Sequence, residues 1–200
     1  MNSINRTLAA LNPASDDFQV FRLRYMAYTR DKSIEENDAE IFMDEYDGLE
    51  NCKSYLYCQG DQPVASIRSC FCNSIEEGQK VPAMEVFGSD IRRTIGGESK
   101  FVESNKFVIH PDFQNLGRRI MVPLFTFIFS EAMRTGADYV ITAVRPAHAA
   151  FYKQMSFSPI SQEMSYPHLS FKTVLLASNV SDAQSSTSPL LRRIFKNAVH

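Results

Sequence analysis

Apolar residues recur every three or four positions along the first part of the chain, at Phe18, Phe21, Tyr25 and Tyr28, which is the spacing of one helix face. Ser15 can cap that helix, with Asp16 and Asp17 in a first turn where carboxylates favour the dipole. Residues 31–51 break the pattern; they are acidic and polar and read as a mobile loop. The period then changes to two. Residues 54–59 and 63–72 are rich in aromatic and β-branched side chains, and Gln59, Gly60, Asp61 and Gln62 between them suit a hairpin.

A long excursion over residues 73–100 holds a short helical pattern around 86–95, ended by Gly96 and Gly97. Residues 101–109 read as a strand, and residues 117–135 as an apolar helix closed by Gly136, with a bend expected at Pro123. A buried-type strand over 139–144, a short helix over 146–155 and a last strand over 171–176 follow. Strands interleaved with helices predict a mixed α/β layer fold. After Ala177 the stretch SNVSDAQSSTSP lacks the apolar surface needed to fold and reads as a linker. Pro189 then opens a short basic amphipathic segment, LLRRIFKNAVH. The expected organisation is one domain over residues 1–177 with residues 178–200 appended. No internal repeat is present.

Composition excludes several classes. A length of 200 residues suffices for one sizeable core, and 44% apolar with 22% charged residues is ordinary for a soluble globular protein. A net charge of −2 gives no reason to expect a nucleic-acid partner. The most apolar stretch, residues 120–130, is too short to span a bilayer, and the N-terminus lacks a basic-then-apolar leader, so a cytoplasmic location is expected. Cys52, Cys58, Cys70 and Cys72 form no C-x-x-C pair and lack metal-ligand spacing. Cys70 and Cys72 alternate along a strand toward one face, and reduced, half-buried thiols are the expected state.

The chemistry concentrates in FVESNKFVIHPDFQNLGRRI, residues 101–120: a strand, a turn with a glycine, then the start of a helix. Such a junction presents backbone N–H groups and the positive end of a helix dipole, which suits a phosphate, and Arg118 and Arg119 add charge there. A second signature is HAAFYKQMSF, residues 148–157. Together they resemble the Gcn5-related N-acetyltransferase (GNAT) superfamily, whose phosphopantetheine-binding turn carries Q/R-x-x-G-x-G/A. The turn here is Gln114, Asn115, Leu116, Gly117, Arg118, Arg119, with Arg119 in place of the last small residue. The resemblance implies a mixed, mostly antiparallel central sheet flanked by helices (α+β).

The order of other residues narrows the resemblance. Arg24 on the first helix precedes the acidic cluster from Phe42 to Asp47, then Arg68 on a strand, then Glu103, Ser104, Asn105, Lys106 and Phe107. This series resembles the acyl-homoserine-lactone autoinducer synthases and the FeeM-type N-acyl amino acid synthases, over roughly residues 18–160. The autoinducer synthases carry a helical arginine, D-x-Y/F-D, a strand arginine and E-x-S-R-F. Lys106 replaces that last arginine, keeping charge but losing the planar fork. They also use a tryptophan ahead of the acidic loop, and this chain has none. Both departures turn the resemblance toward the N-acyl amino acid synthases.

That resemblance implies transfer of a long acyl chain from acyl carrier protein to the α-amine of an amino acid. Acyl-phosphopantetheine, on the carrier protein or on CoA, would be a co-substrate, with no tightly bound cofactor and no metal. The thioester is already activated, so direct attack by the amine needs no protein nucleophile. Glu103 would be the general base, directly or through a water; the alternative is a strand-edge glutamate paired with a lysine or arginine. Backbone N–H groups of Val108, Ile109 and His110 would face the oxyanion. Gln114, Gly117, Arg118 and Arg119 would hold the phosphate, although both arginines could instead be solvated or meet an acidic carrier. Tyr152 would protonate the leaving thiolate, or else be core. His110 has no identifiable partner and reads as a loop histidine.

Arg24, Arg68, Asp44, Asp47 and Lys106 would form the acceptor side. Either arginine could pin the acidic loop or grip a carboxylate, and either aspartate could bind the ammonium. Phe125, Phe127 and Phe129 read as core, with some lining an acyl tunnel. Three rival functions fit the same motifs: an autoinducer synthase using S-adenosylmethionine, a CoA-dependent N-acetyltransferase, and a non-catalytic acyl-thioester-binding module.

Overall fold

The computed structural model describes residues 8–10, 17–167 and 169–198; the cap residues Ser15 and Asp16 and the side chain of Arg118 lie outside the described residues. In chain order the elements begin with β1 (Leu8–Ala10), α1 (Asp17–Arg30), β2 (Cys52–Gln59), β3 (Gln62–Cys72), α2 (Pro82–Ile95) and β4 (Phe101–Ile109). Then come α3 (Gly117–Thr135), β5 (Tyr139–Val144), α4 (Ala149–Tyr152), β6 (Ser158–Pro159), β7 (Met164–Ser165), β8 (Lys172–Asn179), α5 (Val180–Ser185) and α6 (Pro189–Ala198). The sheet runs β1-β2-β3-β4-β5-β8-β6, with β7 also on β8. Its pairings are antiparallel apart from β4 with β5.

The period of two sorts each strand between two cores. Val102 and Val140 pack with Phe125, Ile128 and Phe129 of α3, while Phe101 and Ile141 pack with Phe87 and Ile91 of α2. A smaller cluster under α1 joins Val20, Phe21 and Leu23 to Leu56 and Val108. The β2–β3 hairpin turns at Gly60, whose φ of 59° suits glycine in a two-residue turn. Cys70 and Cys72 do share a face, against α2, but they are fully buried rather than half-buried.

Three expectations are corrected. Residues 31–51 are irregular yet anchored, with Tyr46 only 5% exposed and Asp44 and Asp47 in ion pairs to the sheet and α1. Helix α2 starts at Pro82, earlier than the periodicity indicated, and buries Pro82, Ala83, Phe87, Ile91 and Ile95. The stretch read as a linker contains the end of β8 and α5, which buries Val180 and Ala183. Helix α6 in turn buries Leu191, Ile194 and Phe195 in the same core as α3. Few apolar residues are enough there because each one is covered by a neighbouring element.

Candidate active site

Strands β4 and β5 pair over three positions only, Phe101 with Tyr139, Val102 with Val140 and Glu103 with Ile141. Beyond Glu103, β4 stays on β3 and β5 stays on β8, so the two part and leave a wedge. A cavity of about 470 Å³ fills it, bounded by Asn105 to Ile109 on one side and Thr142 to Arg145 on the other. A β-bulge shapes the first wall: Ser66 faces Val108 and Arg68 faces Asn105, so Lys106 and Phe107 together oppose Ile67. Lys106 takes a φ of 50°, uncommon for a residue with a Cβ. The bulge sends Lys106 to the acidic loop and Phe107 to Phe125 of α3, with ring centroids 6.2 Å apart.

The three backbone amides expected at the oxyanion do not all face the wedge. The His110 N–H donates to the Val64 carbonyl at 2.7 Å and is taken. Alternation of an antiparallel ladder then turns the Val108 amide to β3 as well and leaves that of Ile109 facing the wedge.

A charged network forms one flank. Arg68 grips Asp44 with both terminal nitrogens, Nη1 to Oδ1 at 2.5 Å and Nη2 to Oδ2 at 3.0 Å, and its Nε donates to Asn105 Oδ1 at 2.8 Å. Arg24 donates to Asp47 Oδ1 at 2.8 Å and to Ser54 Oγ at 2.6 Å. Lys106 Nζ stands 3.1 Å from Asp44 Oδ2 and 3.9 Å from the centre of the Phe42 ring. Burial alone would raise the Asp44 and Asp47 carboxyls, but Arg68 and Lys106 outweigh it at Asp44, as Arg24 and Arg68 do at Asp47, and hold both below the usual range. Burial pushes Lys106 down to about 8 against the pull of Asp44. Both arginines are buried and ion-paired to the loop, Arg24 with its Nε left without a partner among the described residues, and neither is among the residues lining the wedge or the cavity under the acidic loop, so they pin the loop.

Glu103 closes the apex of the wedge and is fully buried on the α2 face. Its Oε2 accepts the Ala83 N–H at 2.8 Å, in the first turn of α2, whose N-cap position is held by Val81 with no capping side chain. The carboxylate therefore caps that helix from the sheet. Its Oε1 accepts Asn105 Nδ2 at 2.8 Å, and Asn105 lines the wedge. Burial raises the Glu103 carboxyl despite these bonds. Glu103 is not among the residues that line the wedge, and among the described residues it forms no ion pair with a lysine or arginine.

The other flank is aromatic. Tyr152 lines the wedge, is 6% exposed, and meets Phe125, Phe151 and Phe157 edge to face. Burial raises its phenol, so it stays protonated. Phe125 and Phe129 are core, whereas Phe127 is partly buried and stacks on Tyr55. Met121 and Phe151 lead from the wedge to a smaller cavity of about 100 Å³ under α6, closed by Met155, Leu190 and Ile194.

At the mouth, Pro111 to Leu116 form a tight 3-10 turn and α3 starts at Gly117. Gln114 lines the wedge and Arg119 is exposed beside that helix start. His110 caps the turn, accepting the Asp112 N–H at Nδ1 over 3.2 Å, which gives it a structural task. A second cavity of about 660 Å³ opens under the acidic loop along Phe42 to Glu45, and Ser33, Lys106 and Leu169 line both it and the wedge. Sequence reasoning missed Tyr28, Ser33, Arg145 and Thr173, all on the wedge. The signal for Arg145 was its position directly after a buried strand and before Pro146; Thr173 carried none.

A model of the N-acyl amino acid synthase FeeM family matches residues 19–179. No curated protein matches the chain. Among solved structures, FeeM, an N-acyl amino acid synthase from uncultured soil microbes, superposes with a TM-score of 0.77 at 17% identity, covering 95% of this chain and 98% of that one. The acyl-homoserine-lactone synthase LasI gives 0.69 at 12% identity over 92% and 96%. The CoA-dependent acyl-homoserine-lactone synthase BjaI, with S-adenosylmethionine and isopentyl-CoA, gives 0.65 at 12% over 98% and 100%. At such identities the likeness carries the fold, a GNAT-like mixed and mostly antiparallel sheet flanked by helices.

Proposed function

The chain belongs to the N-acyl amino acid synthase FeeM family, and from that premise we propose that it moves a fatty acyl group from acyl carrier protein to the α-amine of an amino acid. The observation that carries this reading is the junction of two unlike cavities where β4 and β5 part. One is walled by aromatic side chains and continues toward α6, the other lies under charged side chains, and Lys106, Ser33 and Leu169 border both. An acyl thioester suits the first and a zwitterionic acceptor the second.

In the proposed reaction the neutral amine attacks the thioester carbonyl carbon. The Ile109 N–H stabilises the oxyanion. The amine's surplus proton passes through a water to Glu103, whose raised pKa makes it the better base and whose partner Asn105 borders the wedge. The C–S bond then breaks and the amide remains. The Tyr152 hydroxyl donates a hydrogen bond to the departing thiolate; with its phenol raised by burial it supports that sulfur rather than surrendering its proton. Gln114, Gly117 and Arg119, with Arg118, receive the phosphate of the pantetheine arm at the start of α3. Lys106, Asp44 and Asp47 keep the acceptor cavity in shape and charged.

Exposed Arg119, Arg192, Arg193 and Lys196 lie on the packed pair α3 and α6. They favour an acidic carrier protein as donor, drawn from the cytoplasm; among the described residues no helix is long and apolar enough to cross a membrane. CoA presents the same arm, so the test has both donors. Purified protein is incubated with long-chain acyl carrier protein or acyl-CoA and all twenty amino acids, with S-adenosylmethionine in a parallel tube, and products are read by mass spectrometry. An N-acyl amino acid from the carrier-protein tube is expected. Product only with S-adenosylmethionine would move the chain to the autoinducer synthases, and donor binding without turnover would make it a sensor. Glu103→Gln is expected to lower kcat by about 100-fold or more while donor binding persists.

A further inference from the structure

The wedge contains a guanidinium that no carboxylate neutralises. Arg145 follows the last residue of β5 and lines the wedge, and among the described residues it forms no ion pair. Asp31 shares the lining, exposed, and does not pair with it. Two contacts fix the side chain without consuming its fork: one Nη donates to Ser33 Oγ, and the guanidinium lies 3.9 Å from the centre of the Phe171 ring. A guanidinium has five N–H donors, so most of its capacity is open.

Thr173 lines the same wedge. The last rung of the β5–β8 ladder pairs Val144 with Val174, so Arg145 and Thr173 each follow directly on its end, and Thr173 itself pairs with Met164 of β7. Thr173 is 1% exposed, its hydroxyl has no partner among the described residues, and it lines the same cavity. Buried hydroxyls are normally satisfied. An unspent planar fork and an unpaired buried hydroxyl in the wall of one cavity are a donor set that a carboxylate takes. Arg145 lines the wedge and not the charged cavity, but Ser33, to which it donates, borders both, so the guanidinium sits at the junction where the acceptor's amine must meet the thioester.

We propose that Arg145, assisted by Thr173, binds the α-carboxylate of the acceptor and restricts it to free α-amino acids. This rests on the acyl-transfer reading above. It also separates two tasks among the cations: Arg24 and Arg68 hold the loop, and Arg145 selects the substrate.

The test uses the whole protein with long-chain acyl carrier protein and two acceptor mixtures, the twenty amino acids and their twenty primary amides. The amide keeps the amine and side chain and removes the negative charge. The wild type is expected to favour the acids by about 100-fold in kcat/KM. Arg145→Gln is expected to lose about 10- to 100-fold with the acids, mainly through KM, and to change little with the amides; Arg145→Lys recovers part. Thr173→Val, which exchanges a hydroxyl for a methyl group of equal size, is expected to keep its melting temperature and raise KM a few-fold for the acids alone. Equal losses on acids and amides in both variants, or a wild type indifferent to the charge, would overturn the proposal and leave the acyl-transfer reading standing. A wild type that acylates neither mixture would remove both.

Discussion

The two flanks of the wedge are built by opposite means. The charged flank depends on a few directed contacts: three cations, Arg24, Arg68 and Lys106, around two carboxylates, Asp44 and Asp47, arranged by a bulge and a loop. The aromatic flank depends on many interchangeable ones, with Phe125, Phe129, Tyr152 and Phe157 each meeting two or more other rings and Phe195 packed on Phe129. The first should therefore fail abruptly when one member is removed, and the second should yield by degrees. That division suits a transferase whose acceptor must be fixed at an atom while its acyl chain need only be covered.

The most severe break is expected from Arg68→Met, which strips Asp44 of its bidentate partner and takes one of two arginines from Asp47, whose side chain is 2% exposed. A loss of about 3–5 kcal/mol follows, read from denaturant unfolding at neutral pH; a loss under about 1 kcal/mol would mean that the loop is held by something else. Acid should reproduce part of this. The folded Asp44 and Asp47 carboxyls lie below their unfolded value, so the stability they supply is complete above about pH 4 and is lost as pH falls through their folded values. On the order of 2 kcal/mol should disappear across that limb, and Asp47→Asn should flatten it in melts recorded from pH 5 down to pH 2 (endpoints rounded to about one unit).

On the aromatic flank, Tyr152→Phe keeps the ring and removes the hydroxyl. A fall in kcat of about tenfold, equivalent to about 1.4 kcal/mol, with unchanged KM is expected; unchanged kcat would return Tyr152 to a purely packing role. The mildest change is Ile194→Val under α6, at a cost of about 1 kcal/mol. It enlarges the small cavity that Ile194 borders, so preference should move a few-fold toward longer acyl chains in a mixed-donor competition.

Much of the fold was legible because its signals are local. The helical spacing of Phe18, Phe21 and Tyr25, the turn at Gly60, the strand over residues 101–109 and Gly136 after α3 each depend on neighbours within a few positions. The serial order of Arg24, the acidic cluster, Arg68 and Glu103 was also enough to indicate the family. The linker reading of the stretch after Ala177 failed because polarity reports what one segment can bury by itself; Val180 and Ala183 are covered by partners elsewhere in the chain.

Sequence by itself therefore determined which elements form and which residue types were available for chemistry. Tertiary structure decided what each one faces. Glu103 could be read as a candidate base, but that its carboxylate turns to the N-terminus of α2 follows from strand parity at the apex. Lys106 joins the loop because one extra residue in β4 shifts the parity there. Arg145 differs from the fully buried Arg24 and Arg68 in lining the wedge, half-buried, with no ion pair among the described residues. Periodicity is written over a few residues, whereas the partner of a charge is chosen by chain segments brought together across the whole fold.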